Sequence, residues 1–235
     1  MTISAARAYA AELLGTMLLL ATIVGSGIMA QTLSPANMGV ALLANAVATG
    51  GILYVLILGL GPISGAHMNP VITLIEAAFR RLPRERVPGY VIAQLIGACA
   101  GVVLAHAMFG LELVQHGTRA RDSSGELISE VVAMFGLWLV IATSSRARPA
   151  SVPAAVALYI VAAYWFTAST SFANPAVTLA RSFTETFAGI RLADAPKFIA
   201  MQVIGGAAAA GLTAWLLNSG VHPDPAASSS TKETP

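Results

Sequence analysis

Six stretches of the chain run almost without polar interruption: 9–31, 39–60, 88–109, 127–143, 152–165 (extended to 167) and 195–217. An α-helix needs about 20 mostly apolar residues to cross a bilayer's hydrocarbon core. Each stretch therefore predicts a membrane-spanning helix. Two further regions, 61–87 and 168–194, hold apolar pieces too short to span. They predict half-helices that dip into the bilayer against protein, which must cover their non-helical backbone. The expected fold class is an all-α membrane protein with six transmembrane helices plus two half-helices. Residues 1–217 read as a single transmembrane domain. The segment 218–235, rich in Ser, Pro and small residues, predicts a disordered tail.

Both short regions carry one phrase. The first reads His67-Met68-Asn69-Pro70-Val71-Ile72-Thr73-Leu74, the second Phe172-Ala173-Asn174-Pro175-Ala176-Val177-Thr178-Leu179. Asn caps the orphan N–H groups at a helix start, and Pro fits the first helical position. Asn69 and Asn174 each keep side-chain N–H groups able to donate to a passing oxygen. Two short helices starting inside a membrane aim their positive dipole ends at whatever lies between them. That arrangement predicts a selective pore.

The chain is duplicated. Glu12 near the start of the first span is echoed by Glu130 in the fourth, Asn69 by Asn174, and Gln94 by Gln202, at offsets of 118, 105 and 108 residues. Repeat 1 covers about 9–109 and repeat 2 about 127–217. Three spans per copy, an odd number, force the copies into opposite topology, so an inverted repeat follows. The half-helices then enter from opposite faces and their Asn residues meet near the midplane.

Composition narrows the classes. The chain is 56% hydrophobic and only 10% charged, against about 25% charged in soluble domains. A net charge of +2 without a basic aromatic surface gives no argument for nucleic acid. Arg7, Arg80, Arg81, Arg84, Arg86, Arg146 and Arg148 fall in one set of links, whose face the positive-inside rule assigns to the cytoplasm, with both termini. The first apolar run is too long for a signal-peptide core and has Glu12 at its start, so it reads as a first span. Cys99, the sole cysteine, excludes an internal disulfide and a cysteine-cluster metal site, and reads as a small packing residue. Gly97, Gly101, Gly205 and Gly206 predict close helix approach. No nucleophile–base set points to an enzyme, and no cofactor or metal is expected. His106, His116 and Met68 receive no functional role.

The pattern Ser64-Gly65-Ala66-His67-Met68-Asn69-Pro70, with Asn174-Pro175-Ala176, Glu12 and Glu130, resembles the aquaporin and aquaglyceroporin family, over about 12–217. The resemblance implies homotetramers in lipid with one pore per subunit, passing water or small uncharged solutes. It also implies that Glu12 and Glu130 accept hydrogen bonds from the half-helix loops. His67 either lines the inner vestibule or braces its loop. Two departures stand out. Val71 replaces the usual Ala, and Val177 stands where the family carries an arginine that narrows the outer constriction. Arg181 follows one helical turn later, with two competing readings: a partial substitute for that charge, or a side chain directed to solvent or lipid headgroups. Family spacing places the other filter positions at Thr49, Ala162 and Ser171. None of the four is aromatic or charged, so the constriction is expected to be wide. A similar loss of arginine is found in bacterial aquaglyceroporins associated with arsenic resistance. This closer resemblance implies the bacterial inner (cell) membrane, and arsenite and metalloid hydroxides, glycerol, urea and water as permeants.

Two rivals remain open on sequence. Ionisable groups at membrane depth are functional candidates by default, so Glu12 and Glu130 would serve a proton-coupled secondary transporter. A structural membrane protein with a closed pore is the other.

Overall fold

The computed structural model describes residues 3–217; the expected tail, 218–235, lies outside the described residues. These hold eight α-helices and no strand: α1 (Ala5–Leu33), α2 (Met38–Ser64), α3 (Pro70–Ala78), α4 (Val87–Met108), α5 (Ser124–Ala147), α6 (Val152–Phe166), α7 (Pro175–Ala180) and α8 (Ala195–Leu216). All but α3 and α7 are long and apolar enough to cross a membrane, counting the single 3-10 turns that lead into α4 and α6. They coincide with the six apolar stretches to within a few residues. The sequence sets their ends. Ser4, Asn37 and Ser123 cap α1, α2 and α5 through their side chains, and Ser123 with Glu126 forms a capping box. Pro88, Pro153 and Pro196 sit in the first turns of α4, α6 and α8, where a missing N–H costs nothing.

Six alternating spans define two faces. The near face holds the starts of α1, α4 and α6; the far face holds the starts of α2, α5 and α8. Arg86 reaches the Ile3 carbonyl on the near side. On the far side, backbone hydrogen bonds join 115–119 to 182–191. The half-helix α3 enters from the near face and α7 from the far face.

Small residues let the spans close. α1 lies along α4, and α5 along α8. A Cβ at Gly97 would collide with the Leu13 carbonyl, and one at Gly205 with the Val131 carbonyl. Backbone cannot retreat like a side chain, so Gly97→Ala is expected to destabilise the fold by about 1–3 kcal/mol through overpacking. A lower melting temperature in detergent checks this; a melt matching wild type would show that the two helices can part freely.

The outer surface is apolar. Leu43, Val47, Leu58, Ile92, Ile96 and Leu158 point outward and are exposed. Such a surface suits lipid tails. The polar groups turn inward, where Glu12, Gln94, Glu130 and Gln202 are fully buried.

Candidate functional site

The non-helical loops ahead of α3 and α7 share a backbone form. Ala66 and Met68 adopt φ of 49° and 46°, and Ser171 and Ala173 adopt 50° and 46°. Left-handed backbone at non-glycine residues is uncommon and costs roughly 1–3 kcal/mol per residue unless its surroundings hold it. Here two carboxylates hold it. Glu12 accepts from the Ser64 hydroxyl (2.6 Å), the His67 N–H (2.9 Å), the Met68 N–H (2.6 Å) and the Gln94 amide (2.7 Å). Glu130 accepts from the Phe172 and Ala173 N–H groups, both at 2.9 Å, and from the Gln202 amide at 2.6 Å. Each glutamine amide also donates to the threonine of its own half-helix, Gln94 to Thr73 and Gln202 to Thr178. The two halves thus build the same carboxylate–amide–hydroxyl brace.

The loops bring Asn69 and Asn174 together. Asn69 caps α3 by accepting from the Val71 N–H (2.9 Å), and its Nδ2 donates across to the Ala173 carbonyl (2.8 Å). Asn174 caps α7 by accepting from Ala176 N–H (3.0 Å), and its Nδ2 donates back to the Met68 carbonyl (2.7 Å). Each amide thereby spends one N–H on the opposite loop. An amide nitrogen carries two; that of Asn69 also lies 4.0 Å from Met134 Sδ, a weak acceptor.

A cavity of about 250 Å³ runs past both asparagines. At the near face Glu76, Ser145 and Val152 line it, and at the far face Thr49, Tyr164, Val177 and Arg181 do. Between these ends its wall is largely aliphatic, with Leu53, Ile57, Ile72, Leu137 and Ile160 among the lining side chains. His67 lines the near half, and its ring nitrogen lies 3.1 Å from the Thr73 hydroxyl. Lining and bracing therefore coexist in that residue.

The far constriction departs from the sequence expectation at two points. Thr49, Ser171 and Val177 lie on the cavity wall, but Ala162 does not. It is exposed on the opposite side of α6 from the lining series Val152, Val156, Ile160 and Tyr164. The series advances four residues at a time, one helical turn, and Ala162 falls between its members. Tyr164, ten residues before Asn174, lines the wall at this end. Its hydroxyl lies 3.2 Å from Thr49 Oγ1. The cavity wall at this end thus has an aromatic member.

The second departure is Arg181. A course to solvent or headgroups is excluded, since Arg181 is only 2% exposed and lies on the cavity wall. Its Nε donates to the Ala188 carbonyl, and its guanidinium stacks 3.4 Å from the centroid of Phe172. Arg121 approaches the same ring at 4.9 Å and donates to the Gly189 and Ser169 carbonyls. Burial, and next the nearby Arg181, push Arg121 down to about 9, so it stays charged at neutral pH. No motif in the sequence marks Arg121, which lies in the link between α4 and α5. Nη1 of Arg181 and Oγ of Ser171 are buried without a hydrogen-bond partner among the described residues.

Comparison with known proteins fits this geometry. The model of the major intrinsic protein family matches residues 1–167. The chain is similar to aquaglyceroporin AqpS of Rhizobium meliloti (strain 1021), 53% identical over 207 residues that cover 88% of each chain. It is also similar to aquaglyceroporin-3 of Trypanosoma brucei brucei, 38% identical over 52% of this chain and 37% of that one. The fold matches the X-ray structure of the aquaglyceroporin from Plasmodium falciparum, with a TM-score of 0.71, 18% identity, and coverage of 92% of this chain and 98% of that one.

Proposed function

The chain belongs to the major intrinsic protein family, and from that premise we propose that it is a passive channel for small uncharged solutes, with water and glycerol among them. One observation carries the reading: a cavity lined from Glu76 and Val152 to Tyr164 and Arg181, past two asparagine amides that are locked to each other's loops. A solute entering from the far side sheds part of its hydration and exchanges hydrogen bonds with Thr49, Tyr164 and Ser171. It then meets the amide nitrogens of Asn174 and of Asn69. Donors at the centre orient an oxygen and oppose cations and hydronium. The aliphatic wall binds nothing tightly, as conduction requires.

Val177 in place of a guanidinium leaves room for solutes wider than water. Arsenous acid, a neutral compound with three hydroxyls, suits such a passage, and the likeness to arsenic-resistance-associated members supports it as cargo beside urea. The near face, where Arg7, Arg80, Arg81, Arg84, Arg86, Arg146 and Arg148 gather, is assigned to the cytoplasm of a bacterial cell. The exposed apolar helices suit lipid or sister subunits of a tetramer.

Stopped-flow permeability of the purified protein in vesicles, across water, glycerol, urea and arsenous acid, tests this. Non-saturating solute flux indifferent to a proton gradient is expected; absence of all solute flux would overturn it. The proton-coupled alternative has little support, because both carboxylates are buried and all their oxygens already accept from loop donors. At the centre, Asn174→Asp exchanges a donor for a negative charge. Its cation leak in vesicles is expected to rise, and a folded variant with wild-type leak would remove the asparagines from charge selection.

A further inference from the structure

The near face holds a second cavity, of about 600 Å³ against about 250 Å³ for the pore. It lies between the end of α3 and the last turns of α5 and α8, and Phe79, Trp138, Ala142, Ala214 and Leu217 give it an apolar floor. Arg81 and Arg146, both exposed, also line it. Glu76 and Ser145 line both cavities, so the second adjoins the near mouth of the pore.

Arg81 is held in place with donors to spare. Its Nη1 lies 3.2 Å from Glu76 Oε1, and its guanidinium carbon 5.2 Å from the centroid of the Phe79 ring. A guanidinium has five donors, and Arg81 makes no other hydrogen bond among the described residues. The cavity thus offers a cation beside an apolar floor. An apolar segment that carries an acid would satisfy both.

The chain itself supplies such a segment. Leu217 lines the cavity, and the sequence runs on from it as Asn218-Ser219-Gly220-Val221-His222-Pro223-Asp224-Pro225-Ala226-Ala227. Asp224 comes seven residues after Leu217, a reach of up to about 23 Å at about 3.3 Å per residue. Composition alone predicts disorder here, and such segments order on binding. Proline fixes its own φ and biases the residue before it towards an extended form. Both restrictions fall on 222–225, so ordering these four residues costs less entropy than ordering an unrestricted run. Val221, the two prolines, Ala226 and Ala227 match the floor, and Asp224 matches the cation. Attachment to α8 keeps the segment at an effective concentration on the order of millimolar.

We infer that segment 218–227 docks in this cavity, with the Asp224 carboxylate on Arg81 and the prolines over the apolar floor, and that it thereby narrows the near mouth of the pore beside Glu76 and Ser145. The docking stands on the cavity and the sequence; the narrowing rests on the passive-channel reading above.

Ala214 lines this cavity and not the pore, which makes it the reporter. The full chain carrying Cys99→Ser and Ala214→Cys is placed in phosphatidylcholine nanodiscs and labelled with a charged maleimide. Labelling is expected to be slow. Adding Asp224→Arg turns attraction to Arg81 into repulsion and should speed it at least about fivefold. Adding Arg81→Glu to that variant should slow it again. Glycerol flux in vesicles should rise about twofold with Asp224→Arg, as the docked population falls, and return with the swap. Asp224→Arg alters none of the described contacts, so it is read in the parent's fold.

Equal labelling with and without Asp224→Arg would overturn the inference. So would slow labelling that appears only when phosphatidylglycerol is added to the discs and ignores position 224, since a lipid headgroup would then be the occupant. Fast labelling that persists after the swap would remove Arg81 as the partner, and changed labelling with unchanged glycerol flux would overturn the narrowing. Absence of glycerol flux from every variant would instead overturn the channel reading, while the labelling would still report the docking.

Discussion

Glu130→Ala should abolish the channel by unfolding its far loop. The substitution strands the Phe172 and Ala173 N–H groups and the Gln202 amide in a buried site. Each unsatisfied donor costs about 1–3 kcal/mol, and the left-handed Ser171 and Ala173 lose the acceptor that holds them. The sum, on the order of 5 kcal/mol, rivals the entire stability of a typical domain, about 5–15 kcal/mol. Thermal unfolding in detergent and glycerol flux in vesicles should both collapse. Glu130→Gln, which retains one acceptor, should fall between. Glu12→Ala should be worse, since four donors converge there. A Glu130→Ala protein with wild-type melting and flux would mean that the brace is dispensable.

Val177→Arg should narrow the far end of the cavity. Val177 lies buried on the cavity wall near the Thr49–Tyr164 pair, so a longer side chain there enters the lumen. Glycerol and arsenous acid flux should drop about tenfold, equivalent to about 1.4 kcal/mol of added barrier. Water flux should fall less, because a smaller molecule needs less of the cross-section. The new charge also sits four residues from Arg181, and like charges at that spacing disfavour a helix by a few tenths of a kcal/mol, about 0.2–0.5. A small loss of thermal stability should therefore accompany the change in selectivity. Equal glycerol permeability of variant and wild type would remove Val177 from the constriction.

The centre of the site was legible because the sequence states it twice. Asn-Pro fixes a helix start, duplication in an odd-span repeat fixes opposite entry, and a glutamate at the same place in each half finds the same partners. Gln94 and Gln202 were visible as repeats, yet their role needed coordinates: only folding shows one amide joining a carboxylate to Thr73 or Thr178. The far mouth was less legible. Ala162 was reached by counting back from Asn174, and a count alone does not say which face of α6 meets the cavity. The four-residue series Val152, Val156, Ile160 and Tyr164 on α6 was the better signal, since a helix face persists whatever the following loop does. Arg121 and Arg181 lie 60 residues apart in the chain, and nothing local says that both end against Phe172. Apolar periodicity carried little within each span, because helices wetted by lipid on one side and by protein on the other are hydrophobic all round.

The crossed bonds from Asn69 to the Ala173 carbonyl and from Asn174 to the Met68 carbonyl have a consequence for biosynthesis. During translation the first loop is made more than a hundred residues before its counterpart, so through that interval the Asn69 amide and the Met68 carbonyl have no mate. The early half of the molecule must wait in the membrane with its keystone unset. Closure comes as one late event, when the final quarter of the polypeptide arrives and both halves lock at once.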